Sequence, residues 1–352
     1  MKRIVVAYTG GLEDSIAIPW LAGTYGAEIV AVTMDLGQGR ELEAVRDRAL
    51  AAGAARAHVL DVREEFARDY ILRALKAGAM FDARDPVGPA LGRPLIARKL
   101  VEIAAIEQAG AVAHSGRDRV RWDVMVRALN PAITVLAPAL DWGMTRPEAI
   151  AYARARAIPV PATVGGRYRI AASLWGRSID GGVPEDPWTA PPEEVYTLTK
   201  AAEACPAEPA YVEITFEHGA PTAINGVVMP FVDLIASLGT IAGAHGVGRG
   251  IFSEAPAAAV LHAAHGELQQ MATTREAERF TGLVSLQYAD LVDSGLWFAP
   301  LREALDAYVD KVQDRVTGVV RLKLFKGGCR VVGRRSPSAL LDRVLAAIGS
   351  SR

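Results

Sequence analysis

The sequence predicts an α/β protein, with a parallel-sheet nucleotide-binding domain over residues 1–163 and an α+β domain over residues 164–352. Three observations lead there. Apolar runs alternate with amphipathic stretches as strand, helix, strand, helix, strand within the first 62 residues, which demands parallel strands joined by right-handed crossovers. A Gly-Gly turn, Gly10-Gly11, sits where the first strand gives way to the first helix. From Ile158 to Pro192 the composition shifts to Pro, Gly and Trp, and this marks the domain boundary.

The first strand is the β-branched run Ile4-Val5-Val6, and Ile16 to Leu21 read as the first turns of the helix behind it. Between them, Ala7-Tyr8-Thr9-Gly10-Gly11-Leu12-Glu13-Asp14-Ser15 has the makings of a phosphate cradle. Two glycines let backbone N–H groups turn inward, Thr9 and Ser15 add hydroxyls, and the helix N-terminus adds partial positive charge. No Gly-Lys-Ser/Thr follows, and the three spaced glycines of a dinucleotide fold are absent. A second strand over 27–35 ends on Met34-Asp35, an acid about 20 residues beyond the glycines, where a ribose could be held. A helix over 41–53 and a third strand over 57–62 follow. Helices are expected at 71–75 and 98–109, with Gly88, Pro89, Gly92 and Pro94 forming an irregular connection between them. A strand at 112–114 leads into Ser115-Gly116-Arg117-Asp118-Arg119, then a helix over 120–129. Arg117, Arg119 and Arg121 suit a phosphate or carboxylate, and equally a solvated helix start. After a strand at 133–138, Thr145-Arg146-Pro147-Glu148 carries the capping-box pattern of a helix start. In the second half, strands are expected at 211–216 and 223–227 around a turn at 219–221. Helices follow at 231–245 and 257–271, and a hairpin turns at Lys326-Gly327-Gly328.

With 352 residues and 51% hydrophobic content, the chain can build two packed units. A net charge of −1 gives no general footprint for nucleic acid or membrane, so small-molecule substrates are expected as partners. Two cysteines, Cys205 and Cys329, make neither a disulfide framework nor a metal cluster. Charges interrupt every long apolar run, and a cytoplasmic location is expected. Trp175, Trp188 and Trp297 read as packing anchors, and Asp290, Asp293, Asp306 and Asp310 as exposed helix faces or caps. His245, His262 and His265 lack the arrangement of a metal site, and none is predicted.

Several stretches together resemble the argininosuccinate synthases, members of the N-type ATP pyrophosphatases of HUP-like fold. The loop from Ala7 to Ser15 is similar to their Ser-Gly-Gly-x-Asp-Ser/Thr pattern. In register with it stand Gly37-Gln38, Leu60 to Phe66, Arg93-Pro94-Leu95-Ile96-Ala97, Leu174-Trp175-Gly176-Arg177-Ser178 and Glu185-Asp186-Pro187-Trp188, then Gly246-Val247-Gly248-Arg249, Gly295 to Asp306 and Arg315-Val316-Thr317-Gly318. The resemblance implies an ATP-binding domain followed by a synthetase and oligomerisation domain, in a homo-oligomer, dimer or tetramer. It implies that the ureido oxygen of citrulline attacks the α-phosphate of ATP and that the amine of aspartate then displaces AMP, with Mg²⁺ on the phosphates. Carried onto this chain, ATP falls to Ala7 through Ser15, Met34, Ser115 and Gly116, the reacting centre to Asp118 and Arg121, and the substrates to Arg93, Arg117, Asp118, Arg121, Arg169 and Ser178.

The departures from the family pattern cluster at the substrate positions. In the ATP loop, Glu13 replaces Asp and Asp14 stands for a Thr. The family's His-Gly-x-Thr-Gly-Lys-Gly-Asn-Asp-Gln-x-Arg-Phe is shortened to His114 through Trp122, with Arg117 in place of Asn, which exchanges a neutral amide for a donor-only cation. Asp85 and Pro89 stand for a Tyr and a Thr, Arg169 for a Ser. The segment that supplies a Glu and a Tyr to citrulline is reduced to Gly250-Ile251-Phe252-Ser253, and the C-terminal helix is shortened. These departures predict an AMP- and pyrophosphate-forming C–N ligase acting on a pair other than citrulline and aspartate, in specialised metabolism, with the arginines favouring an acidic substrate. The alternatives are argininosuccinate synthase itself with remodelled contacts, and a non-catalytic paralogue serving as a binding or scaffold subunit.

Overall fold

The structure is a computed structural model describing residues 2–39, 42–81, 86, 88–116, 118–160, 168–180, 188 and 190–340. Arg117, Asp85, the run Glu185-Asp186-Pro187 and the segment beyond residue 340 lie outside the described residues. The chain divides into two compact units that interleave in sequence: Met1–Val62, Gly92–Arg167 and Ser294–Ala299 form the first, and Arg63–Leu91, Tyr168–Asp293 and Pro300–Arg352 the second.

The first unit is built on β1 (Arg3–Ala7), α1 (Leu12–Tyr25), β2 (Glu28–Asp35), α2 (Leu42–Ala51) and β3 (Arg56–Asp61). The chain then contributes α3 (Arg63–Phe66), a π-helical turn at Ala67–Ile71 and α4 (Leu72–Lys76) to the second unit. The long α5 (Gly88–Ile106) comes next, followed by β4 (Ala111–Ala113), α6 (Arg119–Leu129), β5 (Thr134–Leu136), α7 (Pro138–Asp141) and α8 (Arg146–Ala155). The five strands pair in parallel in the order β3-β2-β1-β4-β5. The chain steps from β1 outward to β2 and β3, then returns to place β4 on the other side of β1. That reversal leaves a crevice beyond the carboxyl ends of β1 and β4, where open parallel sheets bind ligands. Ile4, Val6, Ile16, Ile18, Leu21 and Ile29 fill the core behind it.

The stretch expected to be an irregular connection is helical from Gly88 onward. Pro89 falls in the first turn, where its missing N–H would have no intrahelical acceptor. Pro94 lies inside the helix, and burial of Leu91, Leu95 and Leu100 offsets the bond it removes. At α8 the capping box is formed as the sequence predicts, with Glu148 accepting from the Thr145 N–H at 2.7 Å.

In the second unit, β6 (Arg169–Ser173) and β7 (Gly176–Asp180) form a hairpin. Then come β8 (Ala210–Glu217), β9 (Ala220–Ile224), β10 (Val227–Val228), α9 (Phe231–Ala244), β11 (Ser253–Glu254), α10 (Pro256–Ala272), α11 (Arg275–Asp293), α12 (Pro300–Gln313), β12 (Gly318–Phe325) and β13 (Gly328–Arg335). An antiparallel sheet runs β10-β9-β8-β12-β13, and β11 joins the hairpin in the order β11-β7-β6. Val212, Ile214 and Phe216 of β8 and Val320, Leu322 and Leu324 of β12 alternate into the core. The strand expected at 223–227 is instead two strands. Asn225 and Gly226, with φ of 50° and 80°, make the tight turn between β9 and β10.

Two further expectations are corrected here. Trp175 and Trp297 are buried, but Trp188 is 93% exposed and anchors no core. Asp306 is no exposed face: it accepts from the Tyr288 hydroxyl at 2.8 Å and from Arg73 at 2.9 Å, and pairs with Arg302.

Candidate nucleotide and substrate site

The Gly-Gly loop leaves β1 at the carboxyl edge, and the Ser115-Gly116 loop leaves β4 beside it, so the two lie together at the switch point of the sheet. Tyr8 is buried and its hydroxyl bonds to Ser15 Oγ at 3.0 Å, while its carbonyl accepts from Thr33 Oγ1 at 2.9 Å. Burial, above all, raises the Tyr8 phenol above its ordinary pKa, so it stays a neutral hydroxyl. Gly10 has φ of 78°, and a Cβ there would come within 2.8 Å of Arg48 Nη1 and 3.3 Å of the Val45 side chain. The space is closed because Arg48, on α2, donates to the Gly10 carbonyl at 3.1 Å. That bond turns the carbonyl toward α2 and steadies the loop. Glu13 is held by Arg146 of α8 at 3.2 Å. Asp14 is almost fully buried and accepts from both Thr9 N–H, at 2.7 Å, and Thr9 Oγ1, at 2.5 Å. Burial pushes its carboxyl up, and the bonds from Thr9 with the nearby Ser115 hydroxyl only partly oppose this.

At the β2 exit the backbone is stapled by its own side chains. Gln38 bonds the Met34 carbonyl at 2.8 Å and the Leu36 N–H at 2.7 Å, and Asp35 accepts from Gly37 N–H at 2.8 Å. Asp35, considered for a ribose, also shapes this turn.

Beyond β4, His114 stacks on Trp122 with ring centroids 4.7 Å apart. Burial, reinforced by the positive charge of Arg119, depresses the His114 pKa to about 4, so its ring is neutral at pH 7. A Cβ on Gly116 would meet Trp122 Nε1 at 2.7 Å, so only glycine admits this close turn. Asp118 caps α6 by accepting from the Arg121 N–H at 3.2 Å, and its carboxylate pairs with Arg121 Nε at 2.9 Å. Arg119 pairs with Asp141 at 3.0 Å. Two members of the predicted arginine cluster are thus tied into local ion pairs, and Arg117 lies outside the described residues. Arg93 is half-buried on α5.

In the second unit, Arg169 lies on β6, and Ser178 on β7 has a buried hydroxyl without a hydrogen-bond partner among the described residues. Ser253 of β11 pairs directly with Ser178, and Glu254 with Arg177. Glu254 is wholly buried. It accepts from Arg177 Nη1 at 2.9 Å, from the N–H groups of Thr197, Leu198 and Thr199 at 3.0, 2.9 and 2.8 Å, and from Thr199 Oγ1 at 2.7 Å. Every lone-pair direction of this carboxylate is used inside the protein.

Residues 3–159 match the family model described as Arginosuccinate synthase N-terminal HUP domain, and residues 168–352 match Arginosuccinate synthase C-terminal domain. The chain belongs to the argininosuccinate synthase family. Similar proteins named Argininosuccinate synthase come from Rubrobacter xylanophilus, 48% identical, Bacillus pumilus, 46%, and Geobacillus thermodenitrificans, 45%. Each alignment covers 98% of this chain and 88%, 90% and 89% of the relative, respectively. An enzyme of the argininosuccinate synthase family is an ATP-using, AMP-forming C–N ligase, and the parallel sheet with its Gly-Gly loop is the HUP architecture the sequence predicts. No helix among the described residues is long and apolar enough to cross a membrane.

Sequence reasoning passed over Arg48, Arg146 and the Arg177–Glu254 pair. Their partners are separated by 38, 133 and 77 positions, so no short motif links them. Gly10 stands in the sequence signal itself, but its crowding by Arg48 becomes visible only in three dimensions.

Proposed function

We propose that this protein catalyses the argininosuccinate synthase reaction. ATP lies along Thr9 to Ser15, with Met34, Ser115 and Gly116 beside it. The ureido oxygen of citrulline attacks the α-phosphate, pyrophosphate leaves, and the amine of aspartate displaces AMP. Mg²⁺ comes with the phosphates and keeps much of its water. Asp118 and Arg121 serve the amine donor, while Arg93, Arg169 and Ser178 serve the adenylated partner. The observation that carries this reading is the end-to-end similarity, 48% and 45% identity over 98% of the chain, to proteins named Argininosuccinate synthase. The placement of the Gly-Gly loop at the switch point supports the nucleotide half. Positioning and charge stabilisation do the work, since neither step needs a side-chain nucleophile. A homo-oligomer formed through the second unit completes the proposal.

One observation favours a second reading, in which the same adenylation chemistry serves a different substrate pair. β11 lies directly against Ser178 of β7, and the Glu254 carboxylate beside it is saturated by Arg177 and three backbone N–H groups. Gly250 to Ser253 thus lead straight into the sheet, and Glu254, already saturated, does not replace the Glu that the shortened segment lacks. Pyrophosphate exchange with Mg-ATP, run without any amine, separates the two. Exchange that depends on citrulline, with argininosuccinate formed once aspartate is added, supports the first reading. Exchange with other ureas, amides or carboxylates and none with citrulline supports the second. Silence across the whole panel removes both.

A further inference from the structure

The phosphate cradle contains an anion of its own. Asp14, at the head of α1, is 5% exposed, and its carboxylate already takes the Thr9 N–H at 2.7 Å and the Thr9 hydroxyl at 2.5 Å. These donors are the ones that a loop of this kind offers to a phosphate. We propose that Asp14 is a built-in competitor for the nucleotide, holding the loop's donors until the carboxylate is neutralised or displaced, so that ATP binding takes up a proton and weakens as pH rises. The inference rests on the ATP-loop reading above and deepens it.

The charges around Asp14 point the same way. From α1, Glu13 adds a second negative charge beside it, and Ser15 is occupied by Tyr8. Ser115, from the β4 exit, contributes a hydroxyl and no charge. Arg48 of α2 is committed to the Gly10 carbonyl, and Arg146 of α8 to Glu13. Beyond β4, Asp118 and Arg121 pair with each other, Arg119 pairs with Asp141, and His114 is neutral. Among the described residues, no cation contacts the Asp14 carboxylate. A phosphate arriving next to an ionised Asp14 would meet a like charge on a buried carboxylate, an unfavourable arrangement. Burial raises the Asp14 carboxyl above its ordinary value, which favours its neutral form. A neutral Asp14 also becomes a donor toward phosphate oxygen, which reverses the sign of the contact.

The test is calorimetric titration of the full-length protein with Mg-ATP from pH 5.5 to 8.5, in buffers of differing ionisation enthalpy, beside Asp14→Asn and Asp14→Thr. The amide keeps the shape and one oxygen to accept from Thr9, while it removes the charge and puts an NH2 donor in place of the other oxygen; the threonine leaves a hydroxyl at that point. Both variants are expected to bind about tenfold tighter at pH 8, a difference of about 1.4 kcal/mol. The wild type should take up a proton on binding, and the variants should lose both this uptake and the pH slope that accompanies it. Should both variants prove unfolded by circular dichroism, proton uptake and pH slope in the wild type decide alone. Binding to the wild type without slope or uptake overturns the proposal and leaves the ATP reading standing. Weaker binding by Asp14→Asn at pH 8 also overturns it, since the carboxylate would then be a ligand or a structural cap. Binding by the variants alone supports it. Absence of binding in all three proteins overturns both the proposal and the ATP reading.

Discussion

Replacing Gly10 by Ala tests how the nucleotide loop is held. At φ of 78° an L-residue carries a backbone cost of about 1–2 kcal/mol. The new Cβ would also stand 2.8 Å from Arg48 Nη1, so the guanidinium must leave the Gly10 carbonyl it bonds at 3.1 Å. Losing a hydrogen bond from a charged donor costs about 1.5–3 kcal/mol, and with the backbone strain the expected destabilisation is about 2.5–5 kcal/mol. That is a large part of the roughly 5–15 kcal/mol that holds a folded protein together. Urea midpoints give the stability, and Mg-ATP titration gives the binding, which should weaken at least tenfold as the loop reopens. Arg48→Ala removes the atom that the new methyl would strike. The double variant Gly10→Ala/Arg48→Ala should therefore be less destabilised than the sum of the two single variants. An alanine variant within about 1 kcal/mol of wild type, or a strictly additive cycle, would refute the lock between α2 and the loop.

Glu254→Gln replaces one acceptor oxygen by a donor that faces Arg177 or a backbone N–H, and should cost about 3–5 kcal/mol by thermal or urea unfolding; a loss below 1 kcal/mol would contradict the saturated carboxylate. Burial depresses His262 to a pKa of about 3, against an ordinary 6.5, so the unfolded chain binds the extra proton between these values and the folded protein loses stability as pH falls from about 6.5. His262→Leu should remove roughly 3 kcal/mol of that acid sensitivity between pH 6.5 and 4, seen in unfolding midpoints across the range, and an unchanged pH dependence would count against the buried neutral ring. Mg-ATP at about a hundred times its dissociation constant should stabilise the protein by about 2.7 kcal/mol, and a melting temperature indifferent to nucleotide would speak against binding.

Much of the fold could be read from the chain because its signals are local. β1, α1, β2 and β3 fall within a residue or a turn of the expected runs, since alternating apolar blocks and a Gly-Gly break leave few other arrangements. The capping box at Thr145 and the hairpin at Lys326-Gly327 were equally legible, each set by residues within five positions. Gly92 and Pro94 misled because propensity is a weak prior, and burial of Leu91, Leu95 and Leu100 outweighs it. Trp188 misled in the other direction: a tryptophan is apolar wherever it stands, and only the fold says what covers it.

By itself the sequence determined the family, the parallel sheet and the Gly-Gly loop at its carboxyl edge, all of which depend on residues close together along the chain. Tertiary structure alone decided the contacts between residues far apart along the chain. Arg48 reaches Gly10 across 38 positions, Arg146 reaches Glu13 across 133, and Arg177 and Glu254 meet across 77. Within the loop itself, Thr9 and Asp14 are only five positions apart, yet their bond depends on burial at the head of α1. In the sequence Asp14 is one carboxylate among many. In the folded chain, little water remains to solvate its charge and the nearby cations are committed elsewhere, which is why the proposed competition with the nucleotide falls to this residue.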